Sequence, residues 1–348
     1  VPGKAASKTA LGQQAWHRNG EARMQLSSFG RTAAAALALS LVGAAGAAQA
    51  QTVQVTPLGS HDGEFCPLDR AMVFEDPDGT RILYDAGRTV AGPDDPRLGR
   101  IDAILVSHMH GDHVGDRRLP APNAGECGSP DFSVVAVPNT NTVDIALATE
   151  AAIVTGSEMP SFFAGKLKAL GGDPAKSQLV RFGASRTVGG VTITTVPAVH
   201  SNGIHGAMIG GELGEMMSAA GLTAYAGPPT GYVLTFSNGL VAYLSGDTGV
   251  TAEQKTVVAE QYGAELVVMN IGDTYTTGPT EAAYVINELI APTTVIASHA
   301  NEKATEGGEL IEGTKTHTFV EAVEVPVIVP LSGRTLGFDA EGACVSGC

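Results

Sequence analysis

The sequence predicts an α/β protein in which two β-sheets pack together with helices outside, and three observations lead there. Short apolar runs alternate with Ala-, Leu- and Glu-rich helical stretches, this grouping of strands and helices occurs twice along the chain, and no linker-like segment separates the two halves. At 348 residues with 43% hydrophobic content the chain is long enough and apolar enough for one sizeable core.

The elements follow in order. Residues 24–50 read as a signal peptide: Arg31 precedes the apolar run Thr32 to Gly43, and small residues end in Ala48-Gln49-Ala50, a cleavage signal. Met24 reads as the initiator, residues 1–23 as sequence upstream of it, and cleavage is expected after Ala50, leaving 51–348 as a single domain in the periplasm or outside the cell. The apolar run falls short of the ~20 residues that span a bilayer, so no stable membrane anchor is expected after cleavage. Strands are expected at 53–58, in a hairpin of 71–75 and 81–85 around Pro77-Asp78-Gly79, at 101–106 and at 132–138. The Pro- and Gly-rich stretch 117–131 reads as a loop that shapes a substrate pocket. From 142 to 170 two helices are expected with a break at 156–160. Strands resume at 179–182 and 191–196, and a Gly- and Met-rich insert, 206–229, follows. Its Met208, Met216 and Met217 read as ordinary helix packing ahead of an adaptable apolar wall. The second half offers strands at 230–236, 240–244, 265–269 and 293–297 with helices at 252–262 and 279–289.

Charge narrows the partners. The formal net charge is −15, and removing residues 1–50 takes five basic residues and one acid with it, moving the value to −19. So acidic a chain is a poor ligand for polyanions, which argues against nucleic acid and anionic lipid and leaves a small molecule as the expected substrate. All four cysteines, Cys66, Cys127, Cys344 and Cys348, lie in the part expected to be exported, where disulfides form. Of three connectivities, Cys66 with Cys127 and Cys344 with Cys348 is the one expected, although spacing alone leaves the others open.

Chemistry concentrates in Ser107-His108-Met109-His110-Gly111-Asp112-His113, directly after the apolar run 101–106. Neutral imidazole with carboxylate is a donor set for zinc and related divalent ions. Further chemistry-bearing residues stand at strand ends: Asp85, His200, Asp247 and His299. Strand ends on one edge of a sheet converge in space. Asp85 reads equally as a turn-capping carboxylate and as a residue that orients a metal ligand. His61, His205 and His317 fit no ligand position, and His205 reads as a surface residue ahead of a substrate contact. Asp273 and Tyr275 lie on a loop expected near the site, where Tyr275 could steady an oxyanion.

The pattern His-x-His-x-Asp-His followed by a distant His, Asp and His resembles the metallo-β-lactamase superfamily. Gly246-Asp247-Thr248-Gly249, residues 270–283 and His200-Ser201-Asn202-Gly203-Ile204 are similar to the metal-dependent hydrolases grouped with ascorbate-phosphate lactonase. The resemblance implies a four-layer αββα sandwich of two mixed β-sheets flanked by helices. It also implies one ion held by His108, His110 and His200 and a second by Asp112, His113 and His299, with Asp247 bridging them. Two divalent ions, zinc first and manganese or iron after it, can share a hydroxide that attacks an ester, lactone or amide, a lactone ahead of the others. Asp112 or Asp247 would carry the proton to the leaving group. The same pattern admits a β-lactamase, a phosphoesterase, an iron-dependent redox enzyme and a metal-binding protein without catalysis.

Overall fold

Alternation of apolar residues decides which face each strand turns inward, and it builds three cores in four layers. The computed structural model describes residues 51–348; the segments read as signal peptide and upstream sequence, 1–50, lie outside the described residues. Along the chain come β1 (Val53–Pro57), β2 (Met72–Glu75), β3 (Arg81–Tyr84), β4 (Ala103–Leu105), β5 (Ala152–Thr155), β6 (Ser177–Leu179), β7 (Ser185–Val188), β8 (Val191–Pro197), β9 (Thr230–Thr235), β10 (Val241–Leu244), β11 (Leu266–Asn270), β12 (Thr294–Ser298), β13 (Val327–Ile328), β14 (Leu336–Phe338) and β15 (Cys344–Ser346). One eight-stranded sheet runs β6-β5-β4-β3-β2-β1-β14-β15, and a seven-stranded sheet runs β7-β8-β9-β10-β11-β12-β13.

Both sheets are mixed, as expected. β1, β2 and β3 pair antiparallel and β3 to β6 parallel; β7 to β10 pair antiparallel and β10 to β13 parallel. Met72, Phe74, Ile82 and Leu105 of one sheet meet Ile193, Leu234, Ala242 and Val268 of the other in the central core. Their chain neighbours face outward, because successive side chains on a strand point to opposite faces. Val73, Leu83, Ile104 and Ile153 pack under Val143, Phe163 and Leu167 from helices Asn141–Thr149 and Met159–Ala169. On the far side Val233, Tyr243, Val267 and Val295 pack under Val258, Ile286 and Phe319. This is the αββα sandwich.

Two expectations are corrected. Residues 152–155, expected to be helical just ahead of the break at 156–160, form a strand, β5, which lies between β4 and β6 and is parallel to both. All four of its residues are buried, so it lacks the alternation that marks a half-exposed strand, and its Ala-rich surroundings read as helix. The strand expected at 132–138 shrinks to Val134–Val135, paired only with Arg117–Arg118. Both expected disulfides are formed, Cys66–Cys127 with Cα atoms 5.2 Å apart and Cys344–Cys348 with 6.1 Å. Among the described residues no helix is long and apolar enough to cross a membrane.

Candidate metal centre

Every donor singled out in the sequence sits just past the C-terminal end of a strand, and those ends share one edge of the sandwich. β3 delivers Asp85, β4 the segment 107–113, β8 His200, β10 Asp247 and β12 His299. Two tyrosines reach across the interior to hold the sheets in register there: Tyr232 Oη donates to Val106 O (2.7 Å), and Gly246 N donates to Tyr84 Oη (2.9 Å). Gly246 has to be glycine, since its φ is +60° and a Cβ would lie 2.9 Å from Ser107 Cβ and 3.1 Å from Thr230 O. Asp85 and His299 also adopt left-handed backbone, φ 42° and 55°, a conformation costing non-glycine residues about 1–3 kcal/mol unless their surroundings hold it.

His108, His110 and His200 place their ligand atoms within 4.8 Å of one another. The hydrogen bonds of His108 leave a lone pair facing the gap between them. Ser107 Oγ donates to Asp85 Oδ2 (2.7 Å) and so accepts from His108 Nδ1 (3.0 Å), leaving His108 Nε2 as the inward lone pair. That Nε2 is buried and has no hydrogen-bond partner. An uncompensated buried nitrogen is costly unless something binds it, and a cation is what suits it. His110 Nε2 lies 3.2 Å from Ser201 Oγ, and its Nδ1 faces His200 Nε2 at 3.3 Å. Burial, reinforced by the neighbouring imidazoles, holds His108 well below its usual range and brings His110 down to about 4; burial also lowers His200, against the pull of Asp247. All three rings are therefore neutral at pH 7, the form that ligates metal. This set fits a divalent ion.

Asp112, His113 and His299 form a second set within 4.8 Å, and Asp247 sits between the two. Asp247 Oδ2 lies 3.8 Å from His108 Nε2, 3.7 Å from His200 Nε2, 3.4 Å from His113 Nε2 and 3.1 Å from His299 Nε2. Burial opposes its charge, but His299 and His113 outweigh burial and hold its carboxyl well below the usual range. Asp85 resolves in favour of orienting a ligand: it accepts from Ser107 N (2.8 Å) and lies 2.8 Å from His113 Nδ1.

The second set has a member that sequence reasoning missed. Arg70, with 1% of its side chain exposed, ion-pairs through Nη1 with Asp112 Oδ2, and the same nitrogen lies 2.8 Å from His113 Nε2. Burial works against charge on His113 while Asp247 and Asp85 favour it, which pushes its pKa up to about 10. The Arg70 donor argues the other way for Nε2, and we take that nitrogen as the acceptor, because a guanidinium has no lone pair to offer.

The donors open onto a cavity of about 640 Å³, a size that suits a small molecule. Its walls include Pro67, Leu68, Ser201, Thr274, Tyr275 and Asn301. Tyr275 does reach this rim; Asp273 is spent locally, accepting from Thr274 N (2.7 Å). None of the lining comes from the loop 117–131, which touches the site indirectly, through the disulfide from Cys127 to the residue before Pro67. Exposed His205 and buried Met208 line an adjoining cavity of about 450 Å³ that shares His110 and Asp112, while Met216 projects into solvent. His61 is held between Ser60 and Gly125, and His317 pairs with Glu321, both away from the cluster.

Residues 80–300 match the family described as Beta-lactamase superfamily domain. A UPF0173 metal-dependent hydrolase of Cupriavidus necator is 34% identical over 209 residues, 58% of this chain and 58% of that protein. Another, from Cupriavidus taiwanensis, is 31% identical over 250 residues, 70% of this chain and 73% of that protein. The fold is similar to that of CmlA, a diiron beta-hydroxylase from Streptomyces venezuelae, with a TM-score of 0.50 at 13% identity over 83% of this chain and 54% of that one; at that identity the likeness speaks for the fold alone. With the family match running from before β3 through His299, and so across every donor predicted from the sequence, the chain belongs to the metallo-β-lactamase superfamily, among relatives named as metal-dependent hydrolases.

Proposed function

We propose that this chain is an exported metal-dependent hydrolase that cleaves a small ester, lactone or amide, a lactone first among them, in the cavity over the strand-end cluster. One observation carries the reading: three neutral imidazoles bring ligand atoms within 4.8 Å of one another beside Asp247, and one of these atoms, His108 Nε2, is a buried lone pair with no other partner. His108, His110, His200 and Asp247 would hold the ion, for which zinc is the first expectation. When bound, such an ion acidifies water and polarises the bond to be broken.

The chain's own residues do the rest. Ser107 fixes the tautomer of His108, and Ser201 holds the ring of His110. Asp112 faces the cavity and stays ionised: burial raises its carboxyl, but the charges of Arg70, His113 and His299 outweigh burial and hold it far below the usual range. Such a carboxylate accepts a hydrogen bond from the attacking water and orients it, although its low basicity makes it a poor acceptor for the proton itself. Tyr275, at the rim, is placed to donate to a developing oxyanion. Export is supported by the two disulfides and by the signal-like segment 24–50.

Turnover on a panel of esters, lactones, amides, phosphoesters and β-lactams, measured before and after chelation, tests the reading. The expected result is hydrolysis of an acyl substrate that chelation abolishes and zinc restores, with His110→Ala and Asp247→Ala inactive and metal-poor. Hydrolysis that survives chelation, or native iron with oxygen-dependent turnover, would overturn it.

A further inference from the structure

We propose that Arg70 is the built-in second cation of this centre: its guanidinium stands where a second metal ion would bind, so that the chain takes one ion and not two. The inference rests on the metal reading above and goes beyond it, because the family resemblance implies a pair of ions.

The two donor sets differ in how their hydrogen bonds are spent. Around the first, the Ser107 hydroxyl takes the outward ring proton of His108 and leaves its inward lone pair free, and His110 Nε2 meets Ser201 Oγ. Around the second, each member answers to Arg70. Asp112 Oδ2 is ion-paired with Nη1. His113 Nε2, its would-be ligand atom, accepts from the same Nη1 at 2.8 Å while Nδ1 points to Asp85. The third member is reached through Asn301. Arg70 Nη2 lies 3.3 Å from Asn301 Oδ1, and since a guanidinium only donates, this contact assigns the Asn301 amide: Oδ1 to Arg70, Nδ2 to His299 Nδ1 at 3.2 Å. His299 Nδ1 is then an acceptor, so the neutral ring carries its proton on Nε2, which lies 3.1 Å from Asp247 Oδ2 without a hydrogen bond to it. A protonated nitrogen is no ligand. Asp112 Oδ2 and both ring nitrogens that would face a second ion are thus paired with a donor or themselves protonated.

Charge balance points the same way. Three carboxylates meet the cluster, Asp85, Asp112 and Asp247. One divalent ion and one guanidinium neutralise them, whereas a second ion would leave two positive charges uncompensated in a buried place. Arg70 is also held where it stands: Nε donates to Leu68 O (3.2 Å), and the loop leading to it begins at the Cys66–Cys127 disulfide.

Full-length mature protein stripped by a chelator and titrated with zinc, with bound metal counted after gel filtration, reads the stoichiometry. Wild type is expected to bind one equivalent tightly, Arg70→Lys one, and Arg70→Met, which removes the charge and the donors, two. Two tight equivalents in the wild type would overturn this inference and leave the metal reading standing, as would one equivalent in a folded Arg70→Met; none in the wild type would overturn both. X-ray absorption of the zinc-saturated wild type needs no variant to fold. A single metal shell without metal–metal scattering is expected, and a zinc–zinc vector would overturn the inference.

Discussion

Asp85 shows how much one side chain decides. It takes bonds from Ser107 and lies against His113 Nδ1, so it sets the tautomers on which both donor sets depend. Replacing Asp85 with Asn turns an N–H group toward the proton of His113 or of Ser107, and metal affinity, read by competition with a chelating dye, is expected to fall about 10–100-fold. Gly246→Ala forces a Cβ to within 2.9 Å of Ser107 Cβ at a left-handed φ. It is expected to destabilise the fold by about 1–3 kcal/mol in urea denaturation. Asp69 makes a prediction with pH. Burial pushes its carboxyl up to about 7, against the N–H bonds it accepts from Cys66 and Ser60. Its folded pKa lies above the unfolded 3.8, so its contribution is fully present below that value and is lost as pH rises through about 7. Between pH 5 and pH 8 the wild type should lose stability relative to Asp69→Asn, measured by urea midpoints at both pH values. The candidate donors were legible in the sequence because four of them share one heptapeptide and the rest close apolar runs. Arg70 was not, for it is a lone arginine in a loop that meets Asp112 only through the fold; the one signal was a charged pair, Asp69-Arg70, set directly against the apolar start of β2.

Strands and helices were readable where their faces differ and unreadable where they do not. β1 alternates buried and half-buried residues and was placed within a residue of its bounds. β5 is buried throughout and was lost inside a helical stretch, since a central parallel strand shows no polar face. The loop before β2 is held by a disulfide as well as by the burial of Phe65 in the outer core. Cys66–Cys127 closes a separation of 61 residues, worth about 4 kcal/mol in the loop-entropy view. Cys66→Ser is expected to lower stability by up to that amount. By freeing Arg70 from its anchor it should also let bound zinc rise above one equivalent; thermal melts and metal content after dialysis read the two effects. Phe163 and Phe319, fully buried under opposite sheets, make a control: either one changed to Ala should cost about 3–5 kcal/mol without altering metal stoichiometry.

Taken together, the sandwich is a device for bringing the ends of strands from two sheets to one edge. Neither sheet could build the cluster alone, since β3 and β4 bring Asp85 and residues 107–113 while β8, β10 and β12 bring His200, Asp247 and His299. The layers follow from alternation and from the repeated grouping of strands and helices, which is why the architecture could be read from the sequence. Which donor lone pairs are free depends on partners from distant elements, and no sequence spacing reports that. Anomalous diffraction at the zinc edge from crystals of the zinc-loaded protein tests the arrangement most directly. A peak enclosed by His108, His110, His200 and Asp247 is the predicted result; zinc bound elsewhere, with no peak among those four residues, would contradict it.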